Sequence, residues 1–299
     1  MRDLKNYTMR EWFRIKPLDH FMIEVANDIL QSVFFKLRPK ALGHFLQDTG
    51  HLLGKNIGLV IAFENPWVLD LLLKTSARNL TGRTLLVFDN SRQQQARKDI
   101  ASICHKHGVH YLALPPSPTQ HPNRSHGMAM TWVFHNVVKA MRPKTFTFID
   151  HDLIPVEKIE LGMFLDKQPF YGAVKVGKWG WWTLWAGYCS YVYSFVELLS
   201  LNFLNDFSRD LDTGGRNWPP LYQYHDRSQM RFAPREKTEF IDPLNGNSSG
   251  YPVQVVDQRW IHLGGVGHRN MKFKEGHDFY QRIAKAITEG ATLRELVKK

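Results

Sequence analysis

The sequence contains little cysteine and lacks the glycine-rich loops that hold phosphates in two large enzyme classes. Cys104 and Cys189 are the two cysteines among 299 residues, so a disulfide framework is implausible and a zinc site of four cysteines is excluded. No Gly-x-Gly-x-x-Gly or Walker A loop follows a predicted strand, which argues against a dinucleotide-dependent enzyme and a P-loop NTPase. The low cysteine content favours a reducing compartment.

The sequence also lacks an uncharged apolar run long enough to span a bilayer. The longest apolar and aromatic run, residues 181–204, contains Glu197 and Asn202 and is interrupted by Gly187, so we predict no spanning helix there. The first residues show no apolar core of a signal peptide. We therefore expect a cytoplasmic protein, with peripheral membrane contact as a further possibility.

Positive charge dominates the composition. The net charge is +11 and the isoelectric point is near 9.6. Hydrophobic residues make up 43% of the chain and aromatic residues 13%, which is enough for a packed core in one large domain or two small ones. The basic excess favours an anionic partner, such as nucleic acid, nucleotide phosphates or an acidic membrane surface. Charge alone does not choose among them.

Residues 1–55 are predicted to form a helical extension before the main domain. Apolar residues recur at four-residue spacing over residues 21–37, between Pro17 and Pro39, which predicts an amphipathic helix. We expect its apolar stripe to pack on the main domain. The alternative is contact with an anionic membrane or a partner through residues 10–40. Basic residues near the helix suggest that alternative: Arg10, Arg14, Lys16, Lys36, Arg38 and Lys40.

From residue 56 onward, predicted strands and helices alternate. The strands lie at 57–63, 84–88, 110–114 and 145–149, and the helices at 66–78, 93–106 and 125–141. The strands are nearly continuous apolar runs, as in a parallel sheet that is buried on both faces. Their alternation with helices predicts right-handed crossovers. We therefore predict an α/β fold, with a Rossmann-type, mostly parallel sheet flanked by helices and preceded by the helical extension.

The pattern becomes irregular after Pro155. Predicted strands lie at 170–176, 183–188 and 253–256, and predicted helices at 190–204 and 277–298. Polar, glycine-rich loops separate these segments. We divide the main domain, residues 56–299, into a regular half, 56–155, and an irregular half, 156–299.

Asp150 and Asp152 follow the predicted strand 145–149. The carboxyl ends of strands are where open α/β sheets bind ligands. Carboxylates one residue apart point to opposite faces of a strand, but they can converge where the chain turns away. Their hard oxygens suit magnesium or manganese, which in turn bridge phosphate oxygens. The alternative is that both are polar loop residues or cap a following helix.

Polar side chains also follow the first two predicted strands. Phe63, which ends the first strand, is followed by the polar residues Glu64 and Asn65, and Asp89 and Ser91 lie after the second strand. A carboxylate at such a strand end can accept hydrogen bonds from a nucleobase or a ribose hydroxyl. It can equally cap the next helix, and the residues themselves do not decide between the two.

Taken in order, these features resemble the GT-A glycosyltransferases. The features are a strand ending at Phe63, a second ending in Val-Phe-Asp-Asn-Ser (87–91), Arg-Ser-His-Gly (124–127) opening a helix, and Phe-Ile-Asp-His-Asp (148–152). The resemblance is detailed over residues 57–155 and extends in element order to about residue 270. It implies a GT-A fold in which residues 56–155 bind the nucleotide and residues 156–299 bind the acceptor.

The resemblance also implies a metal site and a donor. In this family the Asp-x-Asp motif holds a divalent metal on the diphosphate of a nucleotide sugar. Here Asp150 and Asp152, on either side of His151, would bind Mn²⁺ or Mg²⁺, and His262 or His268 would complete the site. The donor would be a nucleotide-diphosphate sugar, with a UDP-sugar favoured. Its contacts would be Phe63, Glu64, Asn65, Asp89, Ser91, Arg124, His126, Asp150 and Arg269.

For the acceptor, the resemblance implies a general base and a sugar-binding surface. In inverting members, an acid from the acceptor-binding half deprotonates the acceptor hydroxyl. The resemblance makes Asp212 the candidate for this general base and Asp210 the second choice. No Glu-Asp pair opens a helix after Gly187, which departs from the commonest family pattern. Indole rings can stack on sugars or simply pack in a core; the candidates are Trp181, Trp182, Trp185 and Trp218.

We therefore predict a metal-dependent glycosyltransferase that moves a sugar from a nucleotide-diphosphate sugar to a glycan, lipid-linked or other hydroxyl acceptor. A nucleotidyltransferase or another phosphoryl-transfer enzyme would use the same carboxylates and metal. Such an enzyme normally carries a glycine-rich loop after its first strand, and residues 63–66 do not form one. A basic nucleic-acid-binding protein is the third possibility, but the Lys and Arg residues form no dense block, so no nucleic-acid partner is expected.

Overall fold

The computed structural model describes residues 8–10, 18–176, 182–193, 230–264, 266 and 274–298. The helices are α1 (Leu18–Phe34), α2 (Ala41–Asp48), α3 (Pro66–Asn79), α4 (Gln94–Lys106), α5 (Pro122–Val133), α6 (Lys274–Glu289) and α7 (Leu293–Leu296). Helix α5 continues through a wider turn, Phe134–Val138, into a last turn at Lys139–Met141. Short 3₁₀ turns lie at Gly50–Leu52 and Leu161–Phe164.

Twelve strands are present in the described part of the chain. They are β1 (Asn56–Ala62), β2 (Leu80–Thr81), β3 (Thr84–Asp89), β4 (His110–Ala113), β5 (Thr145–Asp150), β6 (Leu153–Pro155), β7 (Ile159–Glu160), β8 (Phe170–Val176), β9 (Trp182–Val192), β10 (Arg235–Ile241), β11 (Ser248–Val256) and β12 (Trp260–His262). Strands β2 and β7 form a small parallel pair. The other ten strands form two sheets.

The main sheet has six strands in the order β4-β3-β1-β5-β9-β8. Strands β4, β3, β1 and β5 are parallel, whereas β9 runs antiparallel to both β5 and β8. Helices α3, α4 and α5 connect the parallel strands in turn. The register pairs Ala62 with Asp89 and Ile61 with Asp150, so the carboxyl ends of three strands meet at one edge. The predicted α/β fold with a mostly parallel sheet flanked by helices is confirmed.

Hydrophobic residues pack on both faces of the main sheet. Val60 and Ile61 are neighbours in β1 and are both buried, but they belong to different core clusters. Trp260 and Tyr280 lie in the cluster with Val60, and Trp132 lies in the other. Burial on both faces explains why the parallel strands are nearly continuous apolar runs in the sequence.

The second sheet is antiparallel and has the strand order β10-β11-β12-β6. Strand β6 begins only three residues after β5 ends, so the chain passes from the main sheet to the second sheet over residues 151–152. Strand β12 pairs with β6, with Ile261 opposite Ile154. A segment from late in the chain therefore lies beside the carboxyl end of β5.

The N-terminal helical region is partly built into the core. Phe34 and Phe45 are buried in the same cluster as Trp132. The expected packing of the whole apolar stripe of α1 on the main domain is not observed, because Ile29 and Val33 are 60% and 59% exposed. The division into an extension, 1–55, and a main domain, 56–299, stays a prediction. Of the helices in the described ranges, none combines the length and apolar character that crossing a membrane requires.

Two of the predicted helices differ from the structure. Residues 190–192, predicted to begin a helix, extend β9, in which Ser190 pairs with Thr147 of β5; residues 194–204 lie outside the described residues. The predicted C-terminal helix, 277–298, is divided between α6 and α7. Gly290 lies between them with φ +99°, a left-handed conformation that glycine adopts easily and that ends a helix.

Candidate functional site

Asp150 and Asp152 lie where the chain leaves the main sheet. Asp150 is the last residue of β5, and Asp152 directly precedes β6. Because the two residues border different sheets, the alternation of side chains along one strand does not separate them. Their side chains are mostly buried, 17% and 18% exposed. The structure thus brings the two carboxylates to one place, as the turn after the strand led us to expect.

His262 reaches the same place through the second sheet. It is the last residue of β12 and pairs with Leu153, the first residue of β6. The backbone N–H of Leu263 donates to the carbonyl oxygen of Asp152 at 2.9 Å, which extends this pairing by one step. Nε2 of His262 lies 3.4 Å from Oδ1 of Asp152. Ligand atoms of Asp150, Asp152 and His262 all lie within 4.8 Å of one another.

Two neighbours hold the imidazole of His262 in this orientation. Nδ1 of His262 lies 3.4 Å from Oε1 of Gln254 in the adjacent strand β11. A hydrogen bond from Nδ1–H to this amide oxygen leaves the lone pair of Nε2 available for a metal. Gly264 lies against the ring, since a Cβ added there would be 2.8 Å from Cε1 of His262. A larger residue at position 264 would displace the ring.

The electrostatics of the site favour a cation. Burial alone would raise the pKa of Asp152, but the His262 imidazole, through its charge and hydrogen bond, and the nearby His151 hold that pKa well below its usual range. Burial lowers the pKa of His151 in spite of the two flanking aspartates. Asp152 is therefore ionised at neutral pH.

The residues present fit a small, hard divalent cation. Two carboxylates and one imidazole form a donor set that suits manganese, and the carboxylates alone suit magnesium. Oδ1 of Asp150 is buried and accepts no hydrogen bond from the described residues, although Nε2 of His126 is 3.1 Å away. A buried carboxylate oxygen without a donor is unfavourable. A bound cation would give this oxygen a partner.

The N-terminus of α5 points to the same edge of the sheet. Pro122 occupies its first turn, where the missing N–H is not needed. Nδ1 of His121 accepts a hydrogen bond from the Arg124 backbone N–H at 3.4 Å. His126 lies one helical turn after Pro122, and its Nε2 is 3.1 Å from Oδ1 of Asp150. The dipole of a helix N-terminus favours anions, so this end suits a phosphate near the cation, although the N–H groups of Arg124 and Ser125 already donate to His121.

Hydrogen bonds connect the loops after β1 and β3. Oε1 of Glu64 accepts from the backbone N–H groups of Arg92 at 2.6 Å and Gln93 at 3.0 Å, and the Glu64 N–H donates to Oγ of Ser91 at 2.9 Å. Nδ2 of Asn90 donates to Oγ of Ser125 at 2.9 Å, which ties the second loop to α5. The edge is therefore a connected surface rather than separate loops.

Asp89 lies beneath this surface. Its carboxylate is fully buried, and it accepts hydrogen bonds from the Ser91 backbone N–H and the Tyr111 hydroxyl, both at 2.8 Å. These bonds hold the turn at residues 89–91. The side-chain amide of Asn65 donates to the carbonyl oxygen of Phe63 at 3.2 Å. Contacts of these residues with a nucleotide stay predictions.

Several predicted site residues lie outside the described residues. They are Asp210 and Asp212, the candidate bases; His268, the alternative metal ligand; Arg269, a candidate phosphate contact; and Trp181 and Trp218 of the acceptor set. Trp182 and Trp185 lie in β9, next to the edge strand β8. The roles of all these residues stay predictions.

Sequence reasoning missed three supporting residues. Gln254 and Gly264 hold the imidazole of His262, and Tyr111 binds Asp89. The sequence signal that could have indicated Gly264 is the cluster of glycines after Trp260, because glycine permits the close approach of a neighbouring group. For Gly264 the structure shows the close neighbour to be the ring of His262.

No family model matches the chain, and no curated protein matches it either. Among solved structures, it is similar to the mannosyltransferase PcManGT from Pyrobaculum calidifontis, in complex with GDP-Man and Mn²⁺, with 8% identity over 60% of this chain and 57% of that one and a TM-score of 0.35. It is also similar to S. aureus TarS 1-349, with 15% identity over 50% of each chain and a TM-score of 0.35.

A third similar structure is glucosyl-3-phosphoglycerate synthase from Mycobacterium tuberculosis in complex with phosphoglyceric acid. The identity is 15% over 54% of this chain and 64% of that one, with a TM-score of 0.35. The chain thus spans between half and two thirds of the length of the three structures. Likenesses of this size establish neither a family nor an activity for this chain.

Proposed function

We propose that this chain is a metal-dependent glycosyltransferase of the GT-A type, which transfers a sugar from a nucleotide-diphosphate sugar to a hydroxyl acceptor. The observation that carries this proposal is the convergence of Asp150, Asp152 and His262 at the carboxyl edge of a mostly parallel sheet. That edge is where α/β sheets bind nucleotides. These three residues, called the triad below, supply the ligands for the cation that a diphosphate requires.

In this proposal the triad holds Mn²⁺ or Mg²⁺ next to the donor diphosphate. Such a cation offsets the negative charge that develops on the leaving diphosphate as the bond to the sugar breaks. Asp150 and Asp152 provide the oxygen ligands and His262 the nitrogen ligand. Gln254 and Gly264 keep the imidazole in position, so that little reorganisation accompanies binding.

The donor is proposed to lie along the loops after β1 and β3 and against the N-terminus of α5. The dipole of that terminus and the side chain of Arg124 favour the negative charge of a diphosphate. The nucleotide contacts we propose are Phe63, Glu64, Asn65, Asp89, Ser91, Arg124 and His126, with Arg269 as a further phosphate contact. A UDP-sugar is the donor we would test first.

The acceptor side of the proposal rests on the resemblance in sequence. Asp212, or Asp210 in its place, would accept the proton of the acceptor hydroxyl. Tryptophans would bind the acceptor, which we propose to be a glycan, a lipid-linked sugar or another hydroxyl compound; they are Trp181, Trp182, Trp185 and Trp218. A lipid-linked acceptor lies at a membrane, and we propose peripheral membrane contact through residues 10–40.

A nucleotidyltransferase would use the same metal ligands, but the hydrogen bonds between the loops after β1 and β3 disfavour it. A phosphate-binding loop presents free backbone N–H groups to its ligand. Here the carboxylate of Glu64 occupies the N–H groups of Arg92 and Gln93. A carboxylate in this place would also repel a phosphate. This observation favours glycosyl transfer, in which the diphosphate lies closer to the triad and α5.

A panel of nucleotide sugars, incubated with the protein and Mn²⁺, tests the proposed function. We expect slow release of the nucleoside diphosphate from at least one donor, and its loss when EDTA removes the metal. Release of a nucleoside monophosphate would indicate cleavage within the diphosphate and support a phosphoryl-transfer enzyme. Absence of both metal binding and product release across the panel would contradict the proposal.

A further inference from the structure

Helix α1 and the turn that follows it expose several large apolar side chains to solvent. This surface, the α1 stripe, consists of Met22, Val25, Ile29, Leu30, Val33 and Leu37. Positions 22, 25, 29 and 33 follow the three- and four-residue spacing that places side chains on one helix face. Met22 is 68% exposed, more than most large hydrophobic residues in the part of the chain that the structure describes. Contiguous exposed apolar surface of this kind marks an interaction site more often than isolated exposed residues do.

The opposite side of α1 fixes the helix to the protein. Gln31 is 3% exposed and Phe34 is 2% exposed. Just beyond the helix, the indole Nε1 of Trp132 donates to the carbonyl oxygen of Leu37 at 3.0 Å. Nδ2 of Asn136 donates to the carbonyl oxygen of Phe35, also at 3.0 Å. Since core residues hold the end of α1, the α1 stripe has a defined orientation on the surface.

Basic side chains lie directly beyond the α1 stripe. Lys36, Arg38 and Lys40 are all exposed. Nη1 of Arg38 donates to the carbonyl oxygen of Phe35 at 2.7 Å, so this cation stays close to the end of the helix. Asp28 is exposed on the helix as well, but three of the six residues at positions 35–40 are basic and none is acidic. Apolar and cationic surfaces are therefore adjacent.

We propose that the α1 stripe and the basic segment 36–40 form a docking surface for an anionic lipid bilayer. The stripe would insert among the acyl chains near the headgroups, while the cations would contact the headgroup phosphates. A second copy of this chain is the less suitable occupant, because it would bring the same cations to the interface and each chain carries a net charge of +11. The proposal concerns binding alone and does not depend on the proposed enzymatic activity.

Co-sedimentation of the full chain with lipid vesicles tests this proposal. We expect binding to vesicles that contain phosphatidylserine, weaker binding to vesicles of phosphatidylcholine alone, and weaker binding as salt rises, because screening acts over about 8 Å at physiological salt. Replacing Ile29 and Val33 by Gln should remove binding to both vesicle types. Replacing Lys36, Arg38 and Lys40 by Gln should reduce binding to anionic vesicles by about fivefold for each residue.

The chain offers a matched control for the apolar substitutions. Met163 and Leu244 are 71% and 74% exposed and lie outside the α1 stripe. Replacing both by Gln should leave vesicle binding unchanged, and circular dichroism should show the same helix content in every variant. Equal losses in the control and stripe variants would overturn the proposal, and so would absence of binding at low salt. A dimer in solution that the Ile29 and Val33 substitutions dissociate would overturn it in favour of a second copy.

Discussion

Two acidic sites of this protein differ in what surrounds their carboxylates. Around Asp70 on α3, three basic side chains form ion pairs: Lys74, Lys106 and His107. Around Asp150 and Asp152, the ion pairs in the described part of the chain are with histidines, at 3.1 Å from His126 and 3.4 Å from His262. The first site has more positive groups than carboxylates, whereas the second relies on imidazoles that are charged only when protonated.

In our proposal, this difference separates an acid with a structural role, Asp70, from the acids that bind a cation, Asp150 and Asp152. Burial alone would raise the pKa of Asp70, but hydrogen bonds from Lys74, His107 and Lys106 lower it from 3.8 to about 2. The charge of Asp70 is thus matched within the protein. At Asp150 a buried oxygen accepts no hydrogen bond from the described residues. We infer that the positive charge for the second site comes from a bound cation.

The largest effect expected from this comparison is the loss of activity on neutralising either aspartate of the triad. Asp150→Asn or Asp152→Asn should lower turnover by about 1000-fold or more, roughly 4 kcal/mol of transition-state stabilisation. Without metal, their melting temperatures should stay within about 3 °C of the wild type, because the relief of repulsion between two nearby carboxylates offsets the lost ion pairs with His126 and His262. Manganese should raise the melting temperature of the wild type and not of these variants.

Asp70→Asn is the matched control, since it neutralises a carboxylate of similar exposure at the other site. The melting temperature of this variant should still rise when manganese is added, as that of the wild type does. If an Asp150 or Asp152 variant kept that rise as well, the two acidic sites would not differ in the way we infer.

The next effect concerns the two histidines beside the triad. His262→Ala removes a direct ligand and should weaken manganese binding by about 100-fold, whereas His126→Ala removes a neighbour of Asp150 and should weaken it by about tenfold. Titration calorimetry with manganese measures both affinities. Equal manganese affinities in the wild type and the His262 variant would show that β12 supplies no ligand to the metal.

A smaller effect is expected at Gly264. Gly264→Ala places a Cβ 2.8 Å from the His262 ring, so it should weaken manganese binding by about tenfold without removing any ligand. Gly162→Ala is the control, because nothing lies within 4 Å of the Cβ built there. A Gly264 variant that binds manganese as the wild type does would show that the ring has room to move.

The smallest effect is on stability at the Asp70 site. The folded-state pKa of about 2 lies below the ordinary value of 3.8, so the stabilisation is present above pH 4 and is lost as the pH falls from about 4 to 2. Asp70→Asn should therefore lower the free energy of unfolding at pH 7 by about 1 kcal/mol, a reduced figure because Lys74 and Lys106 are well exposed.

Urea denaturation of both proteins measures this difference. At pH 7 the wild type should be the more stable, and the difference should shrink as the pH approaches 2. A difference that is the same at pH 7 and pH 3 would show that the charge of Asp70 is not its cause.

The main sheet and its carboxyl edge could be predicted because their signals are local. Strands β1, β3 and β5 are mainly apolar runs of six or seven residues. Strands β3 and β5 end in aspartate, and Glu64 follows β1 after one intervening residue. Their parallel alignment follows from the helices between them. Asp150 and Asp152 could therefore be placed at the ligand-binding edge from the sequence.

The second sheet could not be predicted in the same way. Strands β6 and β12 have three residues each, too few to show a period of two. Their pairing joins Leu153 to His262 across more than a hundred residues, and no local pattern reports such a contact. The exposure of the α1 stripe could not be predicted from the sequence either. Periodicity shows that a helix has an apolar face, but it does not show which neighbour covers that face.

Anomalous diffraction from crystals grown with manganese tests the central claim most directly. We expect a single strong peak between Asp150, Asp152 and His262, roughly 2 Å from an oxygen of each aspartate and from Nε2 of the histidine. Crystals of the Asp152→Asn variant should lack the peak. A peak elsewhere with none at the triad, or no peak at millimolar manganese, would contradict the assignment of this edge of the sheet as a metal site.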